Sequence, residues 1–320
     1  MPQVGKVIFS AIVGLGLLGA GYLYFKKTPQ QEKTNQIAVM SFNLRFADDK
    51  MPHAWSLRRP VVARCLKEAN PDIIGTQEGL FEQLNDMRDD LPEYESIGLG
   101  RLGGSHGEFM EIFYKKNRLK LLEYDHFWLS DNPQLIASKW NHKHPRMVTW
   151  IRFRDLKDQT REFLVFNTHF DHQRDQNPPH EAREKSAALL LIKIKEINAQ
   201  NLPVIVVGDF NEDSRPEAFR DKSRVEGKAL QTVTEGSYLK NTWDMTAQKP
   251  PEAMGTSHQY IKLPSQQDQA SLAQYRRIDW ILVHGEWKVG QIVINTCSDK
   301  DQYPSDHFPI QAQLEFPAKR

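Results

Sequence analysis

The stretch Val204–Asp213, VIVVGDFNED, decides the fold and places a candidate site at its end. Its first four residues are β-branched and apolar, which predicts a strand buried on both faces. Gly208 ends the apolar run, and Asp209 and Asn211 follow at alternate positions. If the chain stays extended there, both polar side chains point to one side, past the end of the sheet. A strand that ends in an Asx turn would give the same pattern.

The composition limits the class of protein. With 320 residues, 39 % of them hydrophobic, the chain can bury a large core as one large domain or two. Its two cysteines, Cys65 and Cys297, exclude a disulfide-rich scaffold and a cysteine-rich zinc site. Residues 1–27 carry three lysines and no acid, and beyond them 39 bases face 41 acids. A protein that binds duplex nucleic acid through its phosphates is usually more basic.

The N-terminal segment predicts a membrane anchor. Val7–Phe25 carries no charge, and as a helix it would span about 28 Å, close to the hydrocarbon thickness of a bilayer. Residues 1–27 are thus predicted as a transmembrane helix with its flanks, residues 28–36 as a linker and residues 37–320 as the folded domain. A cleaved signal peptide is the alternative, although the candidate cleavage site, Gly19–Gly21, lies inside the apolar run. Lysines flank both ends, which leaves the orientation open.

Short apolar runs predict many strands and few helices. Strands outnumber helices and many are consecutive, which favours stacked sheets flanked by helices over a simple parallel sheet. The predicted strands are Ile37–Phe46, Asp72–Glu78, Glu108–Tyr114, Leu119–Tyr124, Met147–Phe153, Phe163–Asn167, Arg277–Val283, Val289–Asn295 and Pro309–Leu314, and the helices are Arg58–Ala69, Phe81–Asp90 and Glu181–Ile197.

Polar residues recur where the predicted strands begin or end. Each alone has a structural explanation as a cap, a turn or a solvated carboxylate, but six such places along one chain indicate a shared site. The residues are Asn43, Glu78, His169, Asp209 with Asn211, Asp279, and Asp306 with His307.

These residues lie in motifs that resemble the endonuclease/exonuclease/phosphatase superfamily, which includes pancreatic-type deoxyribonuclease, abasic-site endonucleases and sphingomyelinases. The motifs are SFNLR, TQE, NTHFDH, GDFN, RIDWI and SDHFP, and with Gly107-Glu108, PRMVTW and GTSH they cover residues 37–316. The chain looks similar to bacterial members of unassigned substrate. The resemblance implies a four-layer α/β sandwich with two central mixed β-sheets flanked by helices. With its N-terminal transmembrane helix, the protein would be a single-pass protein of a bacterial inner membrane.

The resemblance also assigns roles around a metal ion. Glu78 is the expected main ligand of Mg²⁺, with Asn43 and Asp306 as further ligands, because a hard divalent cation prefers oxygen donors. Mn²⁺ is expected to substitute for Mg²⁺. His307, oriented by Asp279, would exchange a proton with the attacking water.

The remaining roles concern the phosphate. His169 would donate a hydrogen bond to a phosphate oxygen, with Glu108 as the residue that orients it. Asp209 and Asn211 would position the water and the phosphoryl group, and the choice of general base between Asp209 and His307 stays open. The implied reaction is in-line displacement at phosphorus, in which catalysis is mostly positioning and charge stabilisation.

Other conspicuous residues have less defined roles. Glu111 stands where relatives have a small or apolar residue, so it either faces solvent or adds negative charge near the site. Arg58 and Arg59 are expected at a solvated helix start, although a basic patch would form if they converge with Arg101 and Arg146. By sequence motif, His172 and His258 are candidates for the pocket lining, whereas His142 and His144 are expected to be solvated.

Two classes of function stay open, a Mg²⁺-dependent phosphoesterase and a non-catalytic, membrane-tethered binding module on the same scaffold. The enzyme is favoured because every matched site residue is present, and no H-E-x-x-H or G-x-S-x-G motif supports a protease or an esterase. A phosphodiester is expected before a monoester, and a small or lipid-linked substrate before long duplex DNA. A tethered nuclease acting on DNA or RNA is the alternative. The loops expected to select the substrate are 48–57, 98–107, 173–180 and 262–274.

Overall fold

The structure is a computed structural model that describes residues 35–137, 140, 143–172, 180–221, 226–261, 275–300 and 302–318. These residues belong to one compact unit, Thr34–Arg320. The predicted anchor Val7–Phe25 lies outside the described residues, as do most of the loops 173–180 and 262–274. Within the described ranges, no helix is long and apolar enough to cross a membrane.

The described residues contain twelve strands. In chain order they are β1 (Gln36–Asn43), β2 (Ile73–Gln77), β3 (Tyr94–Ile97), β4 (Ile112–Lys115), β5 (Leu119–Trp128), β6 (Met147–Asp155), β7 (Glu162–His169), β8 (Val204–Asp209), β9 (Lys240–Asn241), β10 (Asp279–His284), β11 (Lys288–Ile294) and β12 (Ile310–Glu315). They form two six-stranded sheets, with the orders β11-β12-β1-β2-β4-β3 and β5-β6-β7-β8-β10-β9. The pairs β1–β2 and β7–β8 are parallel and the other pairs are antiparallel, so both sheets are mixed.

Helices cover the outer face of each sheet. The helices are α1 (Trp55–Ala69), α2 (Phe81–Asp90), α3 (Glu181–Ile197) and α4 (Ala229–Val233), with 3-10 turns at Glu217–Phe219, Glu235–Ser237 and Thr242–Met245. Leu66 of α1 and Leu84 of α2 pack on the first sheet, and Leu190 of α3 and Val233 of α4 pack on the second. A third apolar cluster fills the space between the sheets. The predicted sandwich of two mixed sheets with flanking helices is therefore confirmed.

The alternation of side chains in β8 explains this layering. Ile205 and Val207 point into the core between the sheets, while Val204 and Val206 pack toward the helices. Because both faces are covered, the strand is apolar at every position rather than at every second one. A Cβ added at Gly75 of β2 would lie 2.3 Å from Val207 Cγ2, so the sheets approach each other too closely there for any side chain.

Some element boundaries differ from those predicted. Helix α1 begins at Trp55 rather than Arg58, and the strand predicted from Glu108 begins only at Ile112. The residues before Ile112 do not pair as part of the strand. Phe109 instead forms isolated β-bridges to Gly79 and Gly100. The strands β3 and β9 were not predicted, because four and two residues are too few for an alternation to show.

A disulfide joins Cys65 of α1 to Cys297, which follows β11, with the two Cα atoms 5.9 Å apart. The residues are 232 positions apart in sequence, and no spacing rule pairs two cysteines at such a distance. The bond ties the first helix of the domain to a segment close to its end. A crosslink of this kind stabilises mainly by restricting the unfolded chain.

We expect the double variant Cys65→Ala/Cys297→Ala to lose about 2–5 kcal/mol of unfolding free energy, the usual effect of removing a native disulfide. Urea unfolding followed by tryptophan fluorescence measures this loss. A reductant should lower the midpoint of the wild type and leave the double variant unchanged. Equal urea midpoints for the wild type and the double variant, each with and without reductant, would show that the disulfide does not form.

Candidate active site

The strand pairing brings the predicted site residues to one edge of the sandwich. In the first sheet the parallel strands β1 and β2 end together, with Asn43 opposite Gln77. In the second sheet β7 and β8 end together, with His169 opposite Asp209. Strand β10 runs antiparallel to β8 and begins with Asp279 opposite Asp209. Ends of parallel strands and starts of antiparallel ones therefore meet at the same place.

A cleft of about 620 Å³ opens at this edge. Seven of the nine predicted site residues line it, namely Glu78, Glu108, His169, Asp209, Asn211, Asp306 and His307. The other two, Asn43 and Asp279, are buried, and each hydrogen-bonds to side chains that line the cleft. The cleft also contains arginines that the sequence did not single out, Arg45 and Arg276.

The side-chain amide of Asn43 connects the two sheets at the bottom of the cleft. Its Nδ2 donates to Glu78 Oε1 and to Asp209 Oδ2, each at 2.9 Å. Its Oδ1 accepts the backbone N–H of Arg45, also at 2.9 Å. In this orientation Asn43 offers the carboxylates a donor rather than a ligand oxygen. Its predicted role as a direct metal ligand requires the amide to turn over, and that role stays a prediction.

The two carboxylates that share this amide resist ionisation. Burial, with the charges of Glu108 and Asp306, raises the pKa of Glu78 to about 7. Burial, with the charge of Asp279, raises the pKa of Asp209 to about 6. Repulsion between neighbouring carboxylates is the situation that a bound cation relieves.

The backbone is strained where two of these side chains are presented. Glu78 has φ 63° and Asn211 has φ 53°, both in the left-handed region that non-glycine residues rarely adopt. The turn at Asn211 is held by its own N–H, which donates to Asp209 Oδ1 at 2.9 Å. Strain of this kind persists only where the surroundings fix it, and it concentrates at functional sites.

His307 is held in its charged form. Its Nδ1 lies 2.8 Å from Asp279 Oδ2, and its Nε2 lies 4.0 Å from Asp209 Oδ2. Burial alone would lower the pKa of His307, but the charge and hydrogen bond of Asp279 outweigh burial and raise the pKa to about 10. The predicted Asp279–His307 pair is therefore formed, and it carries a proton at neutral pH.

His169 is held in its neutral form. Burial, together with the charges of Arg146 and Arg101, sets the pKa of His169 well below its ordinary value. Its Nε2 is 3.0 Å from Asn211 Nδ2 and 3.6 Å from Asp209 Oδ2. An amide nitrogen only donates, so Nε2 accepts and the ring proton lies on Nδ1. To donate to phosphate through Nε2, His169 would have to gain a proton or Asn211 would have to move.

The predicted contact between Glu108 and His169 does not form. Both Glu108 oxygens instead pair with the guanidinium of Arg101, at 2.8 Å each. The Nδ1 atom of His169 is buried and has no hydrogen-bond partner among the described residues. A bidentate ion pair with arginine is the stronger interaction, which explains the preference of Glu108.

The donor atoms fit a hard divalent cation at one position. Glu78, His169 and Asp209 bring ligand atoms within 4.8 Å of one another, and so do Asp209, Asp279 and His307. The second group contains the charged His307 and would repel a cation. The first is built on two carboxylates and is the better metal site. Asp306 lies on the cleft wall, 3.7 Å from Arg45, and belongs to neither group.

Arg58 supports the site from below, which the sequence did not reveal. Its side chain is fully buried, and it donates to the carbonyls of Leu44 and Pro304 at 2.7 and 3.1 Å. It thereby joins the segment after β1 to the segment that leads to Asp306. The expected solvated position of Arg58 is wrong, because a buried guanidinium can satisfy several carbonyls at once.

Only two members of the predicted basic patch lie in the cleft. Arg101 and Arg146 line it, whereas Arg59 pairs with Asp86 and Asp90 on the surface of α2. Glu111 takes neither of its expected positions, since it is fully buried and paired with Arg88.

The four other histidines that the sequence analysis named take different positions. His144 and His172 line the cleft, and His144 is partly exposed there. His258 is buried and stacks on Phe308, with ring centroids 3.9 Å apart. His142 lies outside the described residues.

Comparison with known proteins agrees with this geometry. A model of the Endonuclease/Exonuclease/phosphatase family matches residues 40–307. The chain belongs to this family. Members of the family hydrolyse phosphoester bonds, so the chain is a phosphoester hydrolase by descent. The superfamily predicted from the motifs is thereby confirmed.

Solved structures of the family share the whole fold. An endonuclease/exonuclease/phosphatase from Bacteroides vulgatus is 30 % identical with a TM-score of 0.76, covering 88 % of this chain and 99 % of that one. A mannosyl-6-phosphatase from Bacteroides thetaiotaomicron is 31 % identical with a TM-score of 0.74, covering 88 % and 100 %.

A curated relative covers less of the chain. It is a probable RNA exonuclease, NGL3, of Saccharomyces cerevisiae, and it is 28 % identical over 170 residues. The match covers 49 % of this chain and 32 % of the yeast protein, so the chain spans about a third of that relative's length.

We expect Asp279→Asn to lower the pKa of His307 from about 10, because the charge that outweighs burial is removed. The wild type should lose the stability contributed by this pair as the pH rises from 6.5 to about 10, and the variant should lose less. An NMR titration of the imidazole and urea unfolding at several pH values measure both effects. Asp89→Asn, at an exposed position of α2, is the matched control. An unchanged pKa of His307 in Asp279→Asn would contradict the ion pair.

Proposed function

We propose that this domain hydrolyses a small or lipid-linked phosphoester, using Mg²⁺ or Mn²⁺, by in-line attack of water at phosphorus. The observation that carries the proposal is the pair of carboxylates, Glu78 and Asp209, held by one amide beside the charged His307. A cation and a phosphoryl group both find complementary charge within this one cleft.

The cation would be held by Glu78, with Asp306 and Asn43 as the further ligands that the family resemblance implies, which leaves Asp209 available for proton transfer. It would supply Lewis-acid stabilisation of the charge on the phosphoryl oxygens. The donor set supports this assignment, because carboxylate and amide oxygens suit Mg²⁺ and Mn²⁺.

The chain's own residues divide the remaining work. Asp209 ionises near pH 6 and is therefore available to take a proton from the attacking water at neutral pH. His307 keeps its proton and donates a hydrogen bond to a phosphoryl oxygen, where negative charge develops. As the new P–O bond forms, the ester P–O bond opposite to it breaks, and the leaving oxygen keeps the electron pair and takes a proton from solvent. Asn211 and the neutral His169 orient the phosphoryl group. These charges favour Asp209 over His307 as the general base.

The size of the cleft supports a small substrate. A volume of about 620 Å³ suits a compound the size of a sugar phosphate or a lipid head group. The Bacteroides thetaiotaomicron relative, a mannosyl-6-phosphatase by name, gives a phosphomonoester more weight than the motifs alone gave it. The yeast relative, a probable RNA exonuclease, keeps a nuclease as the second candidate.

We expect the full-length protein to hydrolyse an aryl phosphate or a bis-aryl phosphate with Mg²⁺ or Mn²⁺, and to stop in excess chelator. Glu78→Gln should lower kcat/KM by about 100-fold or more, the scale of losing a key electrostatic group. Glu123→Gln, at an exposed position of β5, should keep the wild-type rate. A panel of sugar phosphates, phospholipids, oligonucleotides and plasmid DNA then ranks the substrates. A wild type that binds these compounds without turnover would favour the binding-module hypothesis instead.

Metal binding itself has a pH signature. Because the pKa of Glu78 is raised to about 7, its carboxyl holds a proton over part of the range below pH 7. Metal binding should then release that proton, and metal affinity should rise with pH through 7. Calorimetry of Mn²⁺ binding in buffers of different ionisation enthalpy counts the protons. Glu78→Gln should release fewer protons than the wild type.

We further propose that Val7–Phe25 anchors the protein and that the domain faces an oxidising compartment. The uncharged segment supports the anchor, and the Cys65–Cys297 disulfide supports the compartment, since such bonds rarely persist in a reducing cytosol. The protein should stay in the membrane pellet after high-salt and carbonate washing, and both thiols should resist alkylation until reduced. A soluble form that begins near residues 22–30 would show a cleaved signal peptide, and free thiols in cells would overturn the compartment.

A further inference from the structure

Arg146 is a buried cation whose hydrogen bonds are incomplete. It immediately precedes β6 and lines the cleft, yet its side chain is only 2 % exposed. Its Nε and Nη1 atoms have no hydrogen-bond partner in the described part of the chain. Leaving charged donors unpaired is costly, so such donors in a cleft wall indicate a missing acceptor.

Arg146 has two polar neighbours, a histidine that can act as a further donor and a carboxylate that balances part of its charge. Its Nη2 lies 3.0 Å from His172 Nδ1 and 3.6 Å from Asp171 Oδ1. Because arginine only donates, Nδ1 of His172 accepts, which leaves the proton of a neutral ring on Nε2. Burial and the charge of Arg146 lower the pKa of His172, and burial with Arg101 and Arg146 lowers that of His144. Burial and the nearby arginines therefore favour the neutral form of both rings, although the charge of Asp171 opposes this for His172.

This group lies one strand away from His169 and two strands away from Asp209 along the same cleft. Arg146 precedes β6, whereas His169 and Asp209 end β7 and β8, and neighbouring strands lie about 4.8 Å apart. The backbone of Arg146 is thus about two strand spacings from that of Asp209, or roughly 10 Å. The hydrogen bonds of Arg146 go to His172, while those of Asp209 go to Asn43 and Asn211.

We propose that Arg146, together with His172 and His144, forms a second anion subsite that takes a phosphate group other than the one that is hydrolysed. The inference rests on the proposed phosphoesterase function and deepens it. The substrate then carries at least two phosphate groups, as a bisphosphorylated small molecule does, or as an oligonucleotide does along its backbone. An acceptor-rich anion matches donors that a neutral hydroxyl could satisfy only in part.

The test compares matched substrates that differ by one phosphate. The full-length enzyme is assayed with a hexose monophosphate and the corresponding hexose bisphosphate, and with a dinucleotide that carries or lacks a terminal phosphate. The wild type should favour the second phosphate in at least one pair, and which pair shows it identifies the source of the anion. Arg146→Gln should raise KM for the favoured substrate by at least about 30-fold more than for its partner, the scale of a charged hydrogen bond. Arg152→Gln, on the outside of the same strand, should leave the preference intact.

The proposal can fail in distinguishable ways. Equal losses in Arg146→Gln on both members of each pair would show that Arg146 serves the scissile phosphate, and would overturn the second subsite. If Arg146→Gln does not fold, His172→Gln is used in its place, and an unchanged preference there also overturns it. A wild type that hydrolyses none of the compounds contradicts the proposed function instead. Calorimetry of the hexose bisphosphate and monophosphate in chelator then still tests the subsite, since Arg146→Gln or His172→Gln should abolish any tighter binding of the bisphosphate.

Discussion

The site depends on one amide that bonds across the two sheets. Asn43 ends a strand of the first sheet, and its Nδ2 bonds both Glu78 of that sheet and Asp209 of the other. The two carboxylates repel each other, and a shared donor is the simplest way to hold them close without a cation. The sheets must therefore meet in one fixed offset at this edge. The contact of Gly75 with Val207 fixes the same offset deeper in the core.

Burial disfavours the charged form of each group in the cleft, and neighbouring charges either add to this effect or overcome it. Burial raises the pKa values of Glu78 and Asp209, and neighbouring carboxylates add to the effect. His307 keeps its proton because Asp279 lies beside it, whereas burial and nearby arginines keep His169 neutral. Two histidines on one cleft wall thus hold opposite charge states. The same fold can therefore offer a proton acceptor and a cationic donor at one pH.

Much of the fold and of the site can be predicted from local sequence patterns. Strands such as β8 show as apolar runs, and residues such as Asp209 stand out because a polar group directly follows such a run. Interactions over long sequence distances leave no such pattern. The disulfide of Cys65, the buried carbonyl contacts of Arg58 and the pairing of Glu108 with Arg101 depend on which loops meet in three dimensions. The orientation of the Asn43 amide likewise follows from its neighbours, not from its motif.

The order of strands sorts the charges along the cleft. Glu78 follows β2 and Asp209 ends β8, at the meeting point of the sheets, while Arg146 immediately precedes β6, farther out in the second sheet. The end of β7, with the neutral His169, lies between Asp209 and Arg146. In the proposed binding mode, a substrate whose phosphoryl group lies beside Glu78 and Asp209 would have its far side facing Arg146. Charges that line a cleft focus the electrostatic field there, so the strand order itself would contribute to specificity.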